Sequence, residues 1–148
     1  MAKTSREHIV GLVRVEDRNV FHLRTGFVGD EEPWDYALNR FSLLGADLPK
    51  ATIPKSALYN LLVGSTNLKP QPSQMKMLER VNFDLADQVT PHTAQVFEIA
   101  VPDIELQPWV DGGLALANNG LTRHLFETRR FSPISGAIVE QLIERNVI

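Results

Sequence analysis

Four histidines and a short acidic cluster are the side chains of this sequence best suited to proton transfer or metal binding. His8, His22, His92 and His124 are scattered along the chain, and only His124 has a carboxylate close by, Glu127, at helical spacing. A catalytic or metal group built from His124, Glu127 and Asp111 is the sharpest chemistry this set allows. Solvated or hydrogen-bonded structural roles account for the same residues more simply. The cluster Asp30, Glu31, Glu32 and Asp35 offers oxygen ligands for a hard cation, but it lacks the alternation and the glycine of a calcium loop. A helix start, where the backbone dipole favours acidic side chains, explains it better.

The other chemical signatures are missing. There is no glycine-rich phosphate loop, no His-Glu-x-x-His and no cysteine, so no pyrophosphate cradle, zinc site, thiol nucleophile or disulfide framework can be read from spacing. Ser132-Pro133-Ile134-Ser135-Gly136 has proline where a nucleophile elbow needs a free turn. The sequence therefore assigns no catalytic, cofactor-binding or metal-ligating residue, and no cofactor is expected.

Residues that could make contacts are easier to find. Thr122 to Phe131 interleaves His124, Arg123, Arg129 and Arg130 with Phe126 and Phe131, as a platform for single-stranded nucleic acid would. An acidic residue among the arginines, and core positions for both phenylalanines, weigh against that use. A helix-turn-helix beginning at 56–63 fails because Gly64 to Pro72 is too long for the connecting turn. Trp34, Tyr59 and Trp109 stand beside turns or helix starts, where an aromatic ring can anchor a protein interface.

The elements that must position these residues follow from periodicity. Ile9, Val13 and Val15 alternate with Arg14 and Glu16, and Phe21 and Leu23 with His22 and Arg24, around the turn formers of Glu16 to Asn19; this predicts a β-hairpin. Val10 and Leu12 on its second face call for a further covering layer. Trp34, Leu38 and Phe41 predict a helix over Pro33 to Leu44, and Leu58, Leu61 and Leu62 a second from Pro54 to Gly64. A Pro-containing loop or arm spans 65–72, and Met75, Leu78, Val81 and Leu85 predict a third helix capped by Ser73. Strand patterning returns over Thr93 to Leu106, Leu114 to Ala117 reads as a helical turn, and Leu121 to Phe131 suits strand or helix. Ser132-Pro133 opens a C-terminal helix carrying Ile134, Ile138 and Leu142. The fold class expected is α+β: the hairpin and central strands form a mainly antiparallel sheet packed with three or four short amphipathic helices, all in a single globular domain over 1–148.

Charge is arranged in blocks. Residues 48–83 carry five basic groups and one acidic group, whereas 84–111 carry six acidic and no basic groups, within a chain of net charge −3. Such a balance does not suit a protein that wraps nucleic acid, because phosphate tracking needs a basic excess. Complementary blocks suit contacts between copies or with neighbours. The apolar run after Met1 to His8 is broken by Arg14, Glu16 and Asp17 before it can form a signal sequence, and no stretch reaches the roughly 20 apolar residues of a membrane span.

These features lead to the expectation of a non-enzymatic structural or assembly subunit of a multi-protein particle, specifically a bacteriophage virion component of neck, tail or baseplate. It would be made in the cytoplasm and would act through other copies of itself and neighbouring subunits, with Trp34, Tyr59, Lys69, Trp109, Arg123, Arg129 and Arg130 at the contacts. Nucleic acid, membrane and small-molecule partners are not indicated. The alternative is a small adaptor or regulatory domain that binds a protein or nucleic acid.

Overall fold

A computed structural model describes residues 5–24, 34–35, 40–65, 68–85, 89–101 and 112–148. Its organising element is β1 (Arg6–Val15), which pairs in antiparallel fashion with β2 (Arg18–Arg24) and β4 (Leu44–Asp47), and in parallel with β6 (His92–Ala100). Beyond it, β5 (Met75–Phe83) pairs with β6, while β3 (Phe41–Ser42) and β7 (Gly112–Ala117) both pair with β2. The result is a seven-stranded mixed sheet, antiparallel except at β1–β6, with the helices α1 (Pro54–Ser65), α2 (Asn119–Glu127) and α3 (Pro133–Glu144) packed on it. The α+β class, the hairpin and the mainly antiparallel sheet are as the periodicity predicts.

β1 is buried on both faces, which explains its nearly continuous apolar run. Ile9, Val13 and Val15 pack with Leu58 and Leu62 of α1, whereas Val10 and Leu12 pack with Ile138, Val139 and Leu142 of α3. Gly11 permits the close approach of α1, since a Cβ there would lie 2.7 Å from Ile99 Cδ1 and 3.2 Å from Leu58 Cδ1. The carbonyl of Ile53 accepts from the Ala57 N–H at 3.0 Å and so opens α1 where the sequence places its start. Residues 147–148 pack back on the fold: Arg14 donates to the Val147 carbonyl at 3.0 Å, and Arg123 Nε to the Ile148 carbonyl at 3.1 Å.

Three expected helical stretches are strands. Phe41–Ser42 and Leu44–Asp47 pair with β2 and β1, so the 34–38–41 spacing of apolar residues does not mark a helix through Leu44. Leu114 to Ala117 lies in β7. The third case has a local cause. β5 carries an irregularity between Met77 and Glu79 that shifts its phase, so Met75 packs with the α1 layer while Leu78, Val81 and Phe83 pack with the α3 layer. The extra residue converts a period of two into spacings of three and imitates a helix. The strand expected at Ile104 to Leu106 lies outside the described residues.

Candidate functional site

Parallel pairing of β1 with β6 brings together two histidines 84 positions apart: His8 Nε2 lies 2.9 Å from His92 Nδ1. Trp34 Nε1 donates to His8 Nδ1 at 3.0 Å, which makes that nitrogen an acceptor and leaves the His8 proton on Nε2, donated to His92. The result is a directed chain from Trp34 through His8 to His92. Phe83 stacks against both imidazoles, with ring centroids 5.6 Å from His8 and 5.1 Å from His92. The Trp34 ring lies over Gly45, where a Cβ would come within 2.4 Å of its Cη2.

Electrostatics keep both imidazoles neutral. Burial, reinforced by the Arg6 guanidinium, holds the His8 pKa down at about 4, and the same two causes lower that of His92. Arg6 is itself engaged with Asp47 at 2.7 Å, and that hydrogen bond keeps the Asp47 carboxyl below its ordinary value. Next to Trp34, the buried Asp35 carboxylate accepts from the backbone N–H groups of Ile134 at 3.0 Å and Ser135 at 2.7 Å, and from the Ser135 hydroxyl. Asp35 thereby holds the first turn of α3.

Clefts open on the surface formed by the described residues, among them two of note. One, of about 580 Å³, lies between the outer side of α1 and residues 69–75; the other, of about 680 Å³, lies between α2, α3 and the end of β5. Of the residues expected at contacts, Tyr59 and Lys69 line the first cleft and Arg129 the second. Trp34 is half-buried against His8, Arg123 holds the Ile148 carbonyl, and the Arg130 guanidinium lies 5.9 Å above the Phe41 ring. Trp109 falls outside the described residues, as do Asp30 to Glu32 and Asp111. His124 and Glu127 are exposed on α2. The spacing-based arguments missed the His8–His92–Trp34 group, because its only signal is a long-range parallel strand pair.

No protein-family model and no curated protein matches the chain. Solved structures do. The chain resembles the MutT protein of Methanosarcina mazei Go1, with a TM-score of 0.63 and 14% identity over 99% of this chain and 98% of that one. It also resembles the Nudix domain of Shewanella oneidensis NrtR complexed with ADP-ribose, with a TM-score of 0.61 and 12% identity over 97% of this chain and 90% of that one. A third match is the bifunctional NMN adenylyltransferase/ADP-ribose pyrophosphatase of Francisella tularensis, complexed with AMP and a manganese ion: TM-score 0.63 and 17% identity over 97% of this chain, which spans only 42% of that protein. The fold is Nudix-like.

This finding corrects the functional expectations. The non-enzymatic virion or assembly subunit, and with it the adaptor alternative, does not stand, because the structures sharing this fold are Nudix hydrolases and Nudix domains. The partner expectation of self-copies and neighbouring subunits without a small molecule falls with it, since two of those proteins are described with ADP-ribose or AMP bound. Missing motifs do not amount to missing chemistry, because a site can be assembled by topology from residues far apart in sequence. A virion location is likewise unsupported, and among the described residues no helix is long and apolar enough to cross a membrane.

The Francisella protein holds manganese, so the fit of a divalent cation can be tested here. Such an ion needs several oxygen or nitrogen ligands converging on one point. Helix α1 contains neither Asp nor Glu, and no group of three or more His, Asp or Glu among the described residues is placed to hold a metal. His8 is engaged at both ring nitrogens, and Asp47 is held by Arg6. The described residues do not fit a divalent cation.

Proposed function

We propose that this protein recognises a nucleoside diphosphate small molecule of the ADP-ribose class, with hydrolysis of the diphosphate linkage as the corresponding activity. The observation that carries this reading is the likeness in fold, over 97% of the chain and with a TM-score of 0.61, to a Nudix domain described in complex with ADP-ribose. The named activities of the pyrophosphatase and the Nudix hydrolases among its matches support the second half. Water attack on one phosphorus of ADP-ribose breaks a phosphoanhydride bond and yields AMP and ribose 5-phosphate. A ligand of this kind also favours a cytoplasmic location.

The purified chain is incubated with ADP-ribose, with and without magnesium, and both bound ligand and released AMP are followed by chromatography. Saturable binding with AMP release supports the full reading. Binding without AMP leaves recognition standing and removes hydrolysis. The absence of both removes the proposal.

A further inference from the structure

We propose that the cleft between α1 and residues 69–75 is an anion site that takes the phosphate groups of a diphosphate-bearing small molecule directly, without a divalent cation. The cleft encloses about 580 Å³, and Lys55, Ser56, Tyr59 and Asn60 of α1 face Lys69 across it. Every one of these side chains can donate a hydrogen bond, and among the described residues no acidic side chain lines the space. Buried Met75 gives it an apolar wall. Lys55 is positioned rather than free to swing: its Nζ donates to the Pro72 carbonyl at 2.9 Å, which leaves two N–H groups for a ligand. Lys69 has no ion-pair partner among the described residues.

The surrounding sequence reinforces the sign. Residues 48–83, from which every lining residue comes, carry five basic groups and one acidic group. The failure of the described residues to fit a cation has the same consequence. A diphosphate brings negative charge that some positive group must meet on binding, and two ammonium groups converging on one open cleft supply it. The inference takes its ligand class from the nucleotide reading, but the affinity of the cleft for phosphate can be tested separately.

The test titrates inorganic pyrophosphate into the full chain in EDTA, by calorimetry and by amide chemical-shift mapping, and then repeats the titration with ADP-ribose. Expected are saturable binding in EDTA, shifts centred on 55–60 and 69–75, and affinity that falls as salt rises. Lys55→Ala and Lys69→Ala should each weaken binding about tenfold, in line with lost charge-assisted hydrogen bonds, and the double variant should bind no measurable pyrophosphate. Arg129→Ala, in the other cleft, should bind as the parent does. Both lysines are exposed, so thermal midpoints close to the parent's verify folding, and Lys69→Arg should restore most of the affinity. Binding that requires added magnesium, that survives the double variant, or that is absent overturns the proposal. ADP-ribose bound with shifts elsewhere and no pyrophosphate binding overturns the cleft alone. Pyrophosphate held in the cleft with no binding of ADP-ribose supports the cleft and removes the nucleotide reading.

Discussion

Acidification is the sharpest perturbation of the His8–His92–Trp34 group. The folded protein holds His8 neutral to about pH 4, whereas the unfolded imidazole titrates near its ordinary 6.5. Between these values the unfolded chain binds a proton that the folded chain refuses, so stability rises with pH across the window and is lost as pH falls from 6.5 towards 4. At roughly 1.4 kcal/mol per pKa unit, the gap corresponds to about 3 kcal/mol, a large share of the 5–15 kcal/mol that holds a typical domain together. His92 is shifted in the same direction and steepens the loss. Asp47 is shifted below 3.8, so its contribution is lost only at pH values beneath this window. Urea denaturation at several pH values between 7 and 4 measures the effect, with His8→Gln as reference: glutamine keeps an acceptor and a donor but does not titrate. Subtracting the variant's profile removes the contribution of the carboxylates. The parent should lose about 3 kcal/mol more than His8→Gln over this range. Parallel profiles would refute the assignment of a buried neutral His8.

Other substitutions probe the remaining contacts. Gly45→Ala places a methyl group where the Trp34 ring lies and should cost about 1–3 kcal/mol, with a red-shifted Trp34 emission read in a Trp109→Phe background; an unchanged spectrum would mean that the ring does not sit there. Asp35→Asn removes the charge that holds the first turn of α3 and should destabilise by about 2 kcal/mol in urea, against no change if the carboxylate is solvated. Leu62→Ala, fully buried beneath α1, should cost about 2–5 kcal/mol and report the packing of that helix on β1. Magnesium should leave the thermal midpoint of the ligand-free protein unchanged, whereas a rise of several degrees would reveal a cation site.

The fold was legible where one face of an element dominates its pattern. α1 with Leu58 and Leu62 and α3 with Ile134, Ile138 and Leu142 show such a pattern, and the hairpin is legible from the turn formers of Glu16 to Asn19 although β1 is buried on both faces. It was illegible where two faces alternate in importance. β5 changes which layer it packs on at the Met77–Glu79 irregularity, and a reader of spacing alone sees a helix. β3 and β4 are too short, at two and four residues, to show a period. The candidate site was legible only in part. Tyr59 and Lys69 stand out as types and do share a cleft, but His8 and His92 meet through a parallel strand pair that no local pattern announces. Trp34 stands out in the sequence as an interface anchor, although its observed partner is a histidine of its own chain.

Calorimetric titration of ADP-ribose into the purified protein tests the central claim most directly, because recognition of that ligand class is the proposal on which the rest depends. The account predicts saturable binding at one site per chain, with adenosine giving no comparable heat. A folded protein that shows no heat with ADP-ribose, with or without magnesium, would contradict it.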